Sequence, residues 1–333
     1  MKIVKIIIIN LLLITTVIII FESVLILLKK NKIDCHYVLC NINIKYKDFD
    51  NNLIYYYKDK YGLRGRYKEL SDIDITLVGG STVDERYLNL EDTTAEQLEI
   101  LFNLNRKKKI DVINAGIDGQ STIGHIWNFN KWFNYLPNFK SKYFIFIIGL
   151  NEQYNNDIYN NIEKNDFLFK SKKFIINNDL LLYKIYKKIT FAEDKVRAIG
   201  HIKRAANYMP IINNNINNFK NYKNDQIINN LIKLKNHSQS IGSQPIFVTQ
   251  RSLRWKKQDN IIMSIDNYDY YSYEKKVSET IINFCKENKI ICVNLFEEFS
   301  LTESDTYDLV HLNKIGAKKQ ALIIFNNIKN ISF

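Results

Sequence analysis

Five short runs of mostly apolar residues, spread between positions 73 and 295, constrain the fold of this chain most strongly. They occupy residues 73–80, 109–116, 143–149, 245–250 and 290–295. Uninterrupted apolar runs of this length are typical of strands that are buried on both faces of a parallel sheet. The sequence therefore predicts five central strands.

Helical patterns fill the intervals between these runs. Residues 93–104 open with Thr-Thr-Ala-Glu, an N-terminal capping signal, and residues 123–136 carry Trp and Phe at helical spacing. Strands that alternate with helices predict an α/β fold with a doubly wound, flavodoxin-like, five-stranded parallel sheet flanked by helices. In such a fold the site forms at the carboxyl edge of the sheet.

A long polar segment at about 152–244 separates the third and fourth predicted strands. It is rich in Asn and Lys, and residues 179–190 and about 225–239 have helical patterns. We expect a helical insertion here. It serves either as a lid or partner-binding surface, or as a scaffold of surface helices, and the sequence leaves both open.

The N-terminal segment 1–32 is predicted to be a membrane anchor. Residues 6–28 are apolar at all but five positions, and as a helix they would span about 34 Å, against about 30 Å for a hydrocarbon core. The first alanine is Ala95, so a small-residue A-x-A cleavage site is absent. We expect an uncleaved single-pass helix, a stalk or lead-in at 33–70, and one domain over 71–333.

Lysines flank both ends of this apolar segment, so the positive-inside rule does not decide its orientation. An N-terminal anchor before a large domain usually exports that domain, and we expect it on the periplasmic or extracellular side. Cys35 and Cys40 would pair if that side is oxidising, and the sequence leaves their pairing open. Cys285 and Cys292 are interpreted as small buried apolar residues.

The net charge of +12 does not indicate a nucleic-acid partner. The lysines are scattered among Asn and Glu, and the longest basic run covers only residues 107–109. A basic surface near anionic lipid or an acidic glycan fits this charge.

Small and polar residues follow the predicted strands. The four segments are Gly79-Gly80-Ser81-Thr82, Asn114-Ala115-Gly116-Ile117-Asp118-Gly119, Gly149-Leu150-Asn151-Glu152 and, near the C-terminus, Asp308-Leu309-Val310-His311. Because parallel strands end at one edge of a sheet, we expect all four segments to meet there.

Their chemistry is that of acyl transfer through a serine. A serine hydroxyl is a poor nucleophile until a base takes its proton, and an imidazole suits that role near neutral pH. The candidate catalytic residues are Ser81 as nucleophile, His311 as base and Asp308 as the carboxylate that orients it. The candidate oxyanion donors are the amides of Ser81 and Gly119 and the side chain of Asn151.

These segments resemble the SGNH/GDSL hydrolase family, named after its Ser, Gly, Asn and His blocks. The usual Gly-Asp-Ser-Leu reads Gly-Gly-Ser-Thr here, and the usual G-x-N-D reads G-x-N-E with Glu152. The Gly-Gly-Ser-Thr form, with the Tyr61-Gly62-Leu63-Arg64-Gly65 lead-in, resembles a bacterial branch associated with cell-surface polysaccharide synthesis. The resemblance implies a serine esterase. No His/Asp/Glu cluster has metal-ligand spacing, so we expect no metal, and we expect no cofactor.

We therefore hypothesise a membrane-anchored esterase that removes acyl groups, such as acetyl, from a surface glycan or similar ester. An O-acyltransferase with the same triad is one alternative, and it would require a membrane partner to supply the acyl donor. A non-catalytic SGNH-like assembly factor is another. The remaining histidines are weaker candidates: His36, His125, His201 and His237.

Overall fold

The computed structural model describes residues 9–10, 12–21, 24, 33, 35–48, 50–152, 196–199, 208–211, 224–265 and 268–333. The strands are β1 Ile42–Lys47, β2 Leu53–Lys58, β3 Ile73–Gly79, β4 Val112–Asn114, β5 Ser141–Ile147, β6 Arg197–Ala198, β7 Met209–Pro210, β8 Gln244–Val248, β9 Trp255–Gln258, β10 Ile261–Ser264 and β11 Ile291–Val293. The helices are α1 Cys35–Val38, α2 Ser81–Asp84, α3 Thr94–Asn105, α4 Thr122–Lys131, α5 Asn224–Ser240, α6 Tyr270–Asn288, α7 Leu295–Glu298 and α8 Lys314–Ile328.

The central sheet contains the five strands that the apolar runs predict. Its order is β11-β8-β5-β3-β4, and every neighbouring pair is parallel. Numbered by their place in the chain and read from the β4 edge, the strands follow the flavodoxin-like order 2-1-3-4-5. The predicted doubly wound five-stranded sheet is confirmed.

The sheet is buried on both faces, which explains why its strands are mostly apolar. Along β5, Ile145 and Ile147 belong to the hydrophobic cluster that includes α3 and α8. Phe144 and Phe146 belong to the cluster on the other face, which includes α4, α5 and α6. Each of these side chains contributes about 1.5–3 kcal/mol by leaving water.

The segment 33–70, predicted to be a stalk, contains a hairpin that packs on the domain. Strands β1 and β2 pair antiparallel, and alternate residues of β2, namely Ile54, Tyr56 and Lys58, are buried. Arg64 is fully buried and bridges to Asn114 at the end of β4. The tyrosines of β2 alternate between a buried and an outer face. The strand is therefore amphipathic, although its composition is that of a polar segment.

The predicted insertion is described only in part. The helix expected at about 225–239 is present as α5, whereas the one expected at 179–190 lies outside the described residues. Strands β7, β10 and β9 form a small antiparallel sheet that the sequence did not predict.

Of the predicted N-terminal anchor, residues 9–10, 12–21 and 24 are described, and they are helical. In the described part of the chain, no helix meets the length and apolarity required to cross a membrane. The anchor at 6–28 extends beyond the described residues and stays a prediction.

The cysteines form two disulfide bonds. Cys35 pairs with Cys40 across α1, with Cα atoms 4.8 Å apart. Cys285 pairs with Cys292, with Cα atoms 6.1 Å apart, and both also pack in or against a hydrophobic cluster, as their interpretation as small apolar residues predicts. The chain reverses between the end of α6 and the start of β11, and this reversal places the two cysteines side by side.

Candidate active site

Ser81 lies at the carboxyl edge of the sheet, where β3 ends and α2 begins. Gly80 separates the two elements and has little room for a side chain. A Cβ atom at Gly80 would lie 2.7 Å from Nδ2 of Asn151 and 2.8 Å from the carbonyl oxygen of Gln120. A glycine before Ser81 thus allows three segments of the chain to meet beside the serine.

His311 connects Ser81 to Asp308. Its Nε2 lies 2.8 Å from Oγ of Ser81, and its Nδ1 lies 2.7 Å from Oδ2 of Asp308. An ionised carboxylate only accepts hydrogen bonds, so Nδ1 carries the proton and Nε2 is the acceptor for the serine hydroxyl. The structure therefore brings the three predicted catalytic residues together in the order that a serine triad requires.

Asp308 is held by its own local backbone. Its Oδ1 accepts hydrogen bonds from the amides of Val310 and His311, each at 2.7 Å. Burial alone would raise the pKa of Asp308, but the hydrogen bonds and the charge of His311 outweigh burial and lower it. The carboxylate therefore stays ionised, as an orienting group must.

Tyr307 was not predicted from the sequence and lies directly against the base. Its ring is nearly parallel to the His311 imidazole, with centroids 5.5 Å apart and an interplanar angle of 6°. Its amide also donates to the carbonyl of His311 at 3.1 Å. Tyr307 thus fixes the plane of the imidazole.

Of the predicted oxyanion residues, Asn151 lies beside Gly80 and contacts the loop that contains Gly119. Nδ2 of Asn151 donates to the carbonyl of Gln120 at 2.9 Å, which fixes the loop that contains Gly119. A side-chain amide has two N–H donors, and this bond uses one of them. Gly119 has φ +74°, a left-handed conformation that glycine adopts without strain.

Glu152, which replaces the usual Asp of the third block, caps helix α4. Its carboxylate accepts from the hydroxyl of Thr122 at 2.6 Å and from the Thr122 amide at 3.1 Å. Asn230 of α5 donates to the same hydroxyl at 2.9 Å. Because Glu152 follows Asn151 directly, this contact ties the oxyanion side chain to the start of α4.

Gln250, just beyond β8, was also not predicted as a site residue. Its Nε2 donates to the hydroxyl of Thr82 at 2.6 Å, and its Oε1 accepts from the amide of Leu150 at 3.1 Å. Thr82, which follows Ser81, is therefore linked through Gln250 to Leu150 of the segment that contains Asn151. The only sequence signal was its position at the end of an apolar run.

The two other histidines whose side chains are described, His125 and His237, belong to helices α4 and α5. His125 is fully buried in α4, where burial lowers its pKa to about 3, and its Nδ1 lies 3.1 Å from Oε1 of Gln120. His237 stacks on Phe129 at the far end of α5. His201 lies outside the described residues.

Comparisons with known proteins find similar chains only among solved structures. No protein-family model and no curated protein matches the chain. Among solved structures, it is similar to a lipolytic protein of the G-D-S-L family from Veillonella parvula, with 14% identity, a TM-score of 0.44, and coverage of 78% of this chain and 100% of that one.

Two further structures illustrate the range of matches. A GDSL-like lipase from Bacteroides thetaiotaomicron has 13% identity and a TM-score of 0.42, over 80% of this chain and 92% of that one. A catalytic mutant of an acetylxylan esterase from Geobacillus stearothermophilus has 12% identity and a TM-score of 0.45, over 80% and 98%. At such low similarity, the reaction of this chain has to be argued from its own site.

The four sequence blocks end at one edge of a parallel sheet, in the order Ser, Gly, Asn and His. The fold is an α/β fold with a five-stranded parallel sheet in the flavodoxin-like order 2-1-3-4-5. Neither departure from the usual motifs removes a proposed catalytic group. Gly80 lets Asn151 and Gln120 come close beside Ser81, and Glu152 accepts hydrogen bonds at the start of α4.

Proposed function

We propose that this protein is a serine ester hydrolase in which Ser81 forms an acyl-enzyme intermediate. The observation that carries the proposal is the continuous hydrogen-bonded chain from Ser81 through His311 to Asp308, at 2.8 Å and 2.7 Å. Residues 81 and 311 are 230 positions apart in the sequence, so only the fold brings them together.

Acylation transfers the acyl group from the substrate to the enzyme. Oγ of Ser81 attacks the ester carbonyl carbon while its proton passes to Nε2 of His311. The carbonyl oxygen becomes an oxyanion that accepts from the amides of Ser81 and Gly119 and from Nδ2 of Asn151. The C–O bond to the leaving alcohol then breaks, and His311 returns the proton to that alkoxide.

Deacylation repeats the sequence with water. His311 takes a proton from water as the water oxygen attacks the acyl carbon, and the same donors bind the second oxyanion. The bond to Ser81 breaks, Oγ regains the proton from His311, and the carboxylic acid departs. Asp308 stays ionised throughout and stabilises the imidazolium.

A non-catalytic assembly factor fits the site less well. A chain without selection for catalysis has no reason to keep the nucleophile, base and carboxylate in hydrogen-bond contact, with the base also stacked on Tyr307. The geometry therefore supports the catalytic proposal.

For the substrate, we propose acyl esters, such as acetyl esters, on a cell-surface glycan. The Gly-Gly-Ser-Thr form of the nucleophile block supports this choice through its resemblance to polysaccharide-associated proteins. The net charge of +12 is compatible with an acidic polymer.

We also propose that residues 6–28 anchor the protein in a membrane, with the domain on the periplasmic or extracellular side. The disulfides Cys35–Cys40 and Cys285–Cys292 support that orientation, since disulfides persist mainly in oxidising compartments. A C-terminal reporter that is active only outside the cytoplasm should give signal. Signal from a cytoplasm-only reporter would reverse the orientation.

The proposed activity is tested with an activated acetate ester and the purified full chain. Wild-type protein should release acetate, and Ser81→Ala should abolish release. The matched control is Ser71→Ala, which removes an exposed serine near the amino end of the same strand and should leave the rate unchanged. Undiminished hydrolysis by Ser81→Ala would contradict the proposal.

Adding excess oligosaccharide to the same reaction distinguishes hydrolysis from transfer. An esterase should yield mostly free acid by mass spectrometry. Acylated sugar as the main product would assign an O-acyltransferase that uses the same acyl-Ser81 intermediate.

A further inference from the structure

A buried ion cluster connects the nucleophile helix to the oxyanion loop. Its centre is Asp84, three residues after Ser81, with a side chain only 1% exposed. Oδ1 of Asp84 accepts from the hydroxyl of Tyr56 at 2.7 Å and lies 3.1 Å from Nζ of Lys58. Its Oδ2 accepts from Nε and Nη2 of Arg86, at 3.1 Å and 2.9 Å.

Both cations of this cluster also reach the loop after β4. Nζ of Lys58 donates to the carbonyl of Gly116 at 2.6 Å. Nη2 of Arg86 lies 3.0 Å from Oδ2 of Asp118, the residue immediately before Gly119. One buried carboxylate beside the nucleophile thus anchors two side chains that hold the start and the end of this loop.

The start of the loop has additional support from the backbone. The amide of Ile117 donates to the carbonyl of Gly79 at 3.0 Å, and a Cβ atom at Gly116 would clash with the Asp84 amide nitrogen. Gly119 itself has the conformational freedom of glycine. Its position is set by its neighbours, with Asp118 held by Arg86 and Gln120 held by Asn151.

The charges of the cluster favour a role in geometry over a role in anion binding. Two cations, Lys58 and Arg86, face two carboxylates, Asp84 and Asp118, so these four charges balance one another. Burial alone would raise the pKa of Asp84, but Lys58 and Arg86 outweigh burial and lower it. The two hydrogen bonds to Asp84 thereby hold the Arg86 guanidinium in one orientation.

From these contacts we infer that Arg86 and Asp118 are positioning residues for the oxyanion hole. They set the distance between the Gly119 amide and Ser81 by tying Asp118 to the carboxylate of Asp84. Tyr56 and Lys58 of the β1–β2 hairpin support the same carboxylate, which gives the N-terminal hairpin a part in catalysis. The inference rests on the proposed esterase function.

A displaced amide stabilises the transition state less well, and the bound ester loses less, because full charge develops on the oxygen only in the transition state. Loss of the ion pair between Arg86 and Asp118 should therefore lower kcat and leave KM nearly unchanged. A displacement of about 1 Å costs about 100-fold in rate, which sets the upper range of the effect. A merely structural role would show as lost folded protein, not as a selective change in kcat.

The experiment compares Arg86→Gln, Arg86→Lys, Asp118→Asn and the double variant Arg86→Gln/Asp118→Asn in the full chain. We expect kcat on an acetate ester to fall about 10- to 100-fold for Arg86→Gln and about 3- to 10-fold for Asp118→Asn, with KM within about threefold. Arg86→Lys should recover part of the loss. The double variant should be no slower than Arg86→Gln, because both changes break one tie.

The matched control is Lys142→Gln. It removes a partly exposed cation that pairs with the buried carboxylate of Asp74 at 2.6 Å, at the amino edge of the same sheet. This variant should keep wild-type kcat. Asp118 is half exposed, so Asp118→Asn reports on the tie even if an Arg86 variant folds poorly.

A second readout separates failure of the inference from failure of the proposed function. The rate at which a fluorophosphonate labels Ser81 should fall in parallel with kcat, because that adduct also places an oxygen in the oxyanion hole. Normal labelling of wild type with unchanged rates in Asp118→Asn and Arg86→Gln would overturn the positioning role alone. Absence of labelling in wild type would overturn the esterase proposal, and the positioning role with it.

Discussion

The two sides of Ser81 are built in different ways. On the base side, Asp308 and His311 are three residues apart, and Asp308 accepts hydrogen bonds from the backbone of its own turn. On the oxyanion side, Gly119 and Asn151 come from different loops and depend on contacts to Gln120 and Thr122. The proposed base is therefore positioned by contacts between residues close in sequence, whereas the proposed oxyanion hole depends on contacts between residues far apart in sequence.

This difference predicts how each side responds to damage. A change distant in sequence can reach the oxyanion side through Asp84, Arg86 and Glu152, whereas the base depends mainly on the turn from Tyr307 to His311. Variants on the base side should disable the chemistry outright. Those on the oxyanion side should give graded losses.

The largest effect is expected for His311→Ala. Without a base, Ser81 keeps its proton, and kcat should fall by about 10⁴- to 10⁶-fold, as for other triads. Kinetics on the acetate ester, with circular dichroism as the control for folding, measures this. A loss of less than about tenfold would exclude His311 as the base.

A smaller loss is expected for Asn151→Ala on the oxyanion side. Removing one oxyanion donor typically costs about 10²- to 10³-fold in kcat. The variant also releases the carbonyl of Gln120, so the Gly119 loop loses one of its anchors. Equal rates for wild type and Asn151→Ala, measured at saturating ester, would remove Asn151 from the oxyanion hole.

The pH dependence of the rate separates the two sides further. The rate should fall on acidification, because a protonated His311 cannot accept the proton of Ser81. The pKa of Asp308 is lowered by its hydrogen bonds and by His311, so its carboxylate stays ionised and keeps its contact with Nδ1 of His311. Asp308→Asn loses the carboxylate that orients the imidazole, so its rate should fall sharply while circular dichroism shows a folded protein.

The oxyanion donors are amides, which do not titrate in this range. Asn151→Ala should therefore lower the whole profile without moving it. A profile that shifts in Asn151→Ala, or an undiminished rate in Asp308→Asn, would contradict the division between the two sides.

The smallest effect on the rate is expected for Glu152→Ala. The buried Thr122 amide and hydroxyl lose their acceptor, which should lower the free energy of unfolding by about 1–3 kcal/mol. Asn151 keeps its bond to Gln120, so kcat should fall by less than the roughly 100-fold of a 1 Å displacement. Denaturant unfolding and ester kinetics test both parts, with Glu152→Gln as the variant that retains one acceptor.

The sequence predicted the parts of the fold whose signals are local. Five mostly apolar runs located the central strands, because a strand buried on both faces is apolar at most of its positions. Thr93 marked the start of α3, where its side chain accepts from the Glu96 amide. Asp308 and His311 could be paired because one turn of chain connects them.

Contacts that depend on tertiary structure could not be predicted in the same way. The pairing of Arg86 with Asp118 and the stacking of Tyr307 on His311 need the folded geometry. The β1–β2 hairpin was missed because alternating tyrosines resemble a polar linker in composition. The Cys285–Cys292 disulfide depends on how α6 turns into β11, and neither residue alone indicates a partner.

The central claim is that Ser81 is the covalent nucleophile activated by His311. The most direct test is to treat the full chain with a fluorophosphonate and to map the adduct by peptide mass spectrometry. The account predicts one adduct on Ser81 in the wild-type protein and a loss of labelling in His311→Ala. Labelling of another residue, or equal labelling of Ser81 without His311, would contradict it.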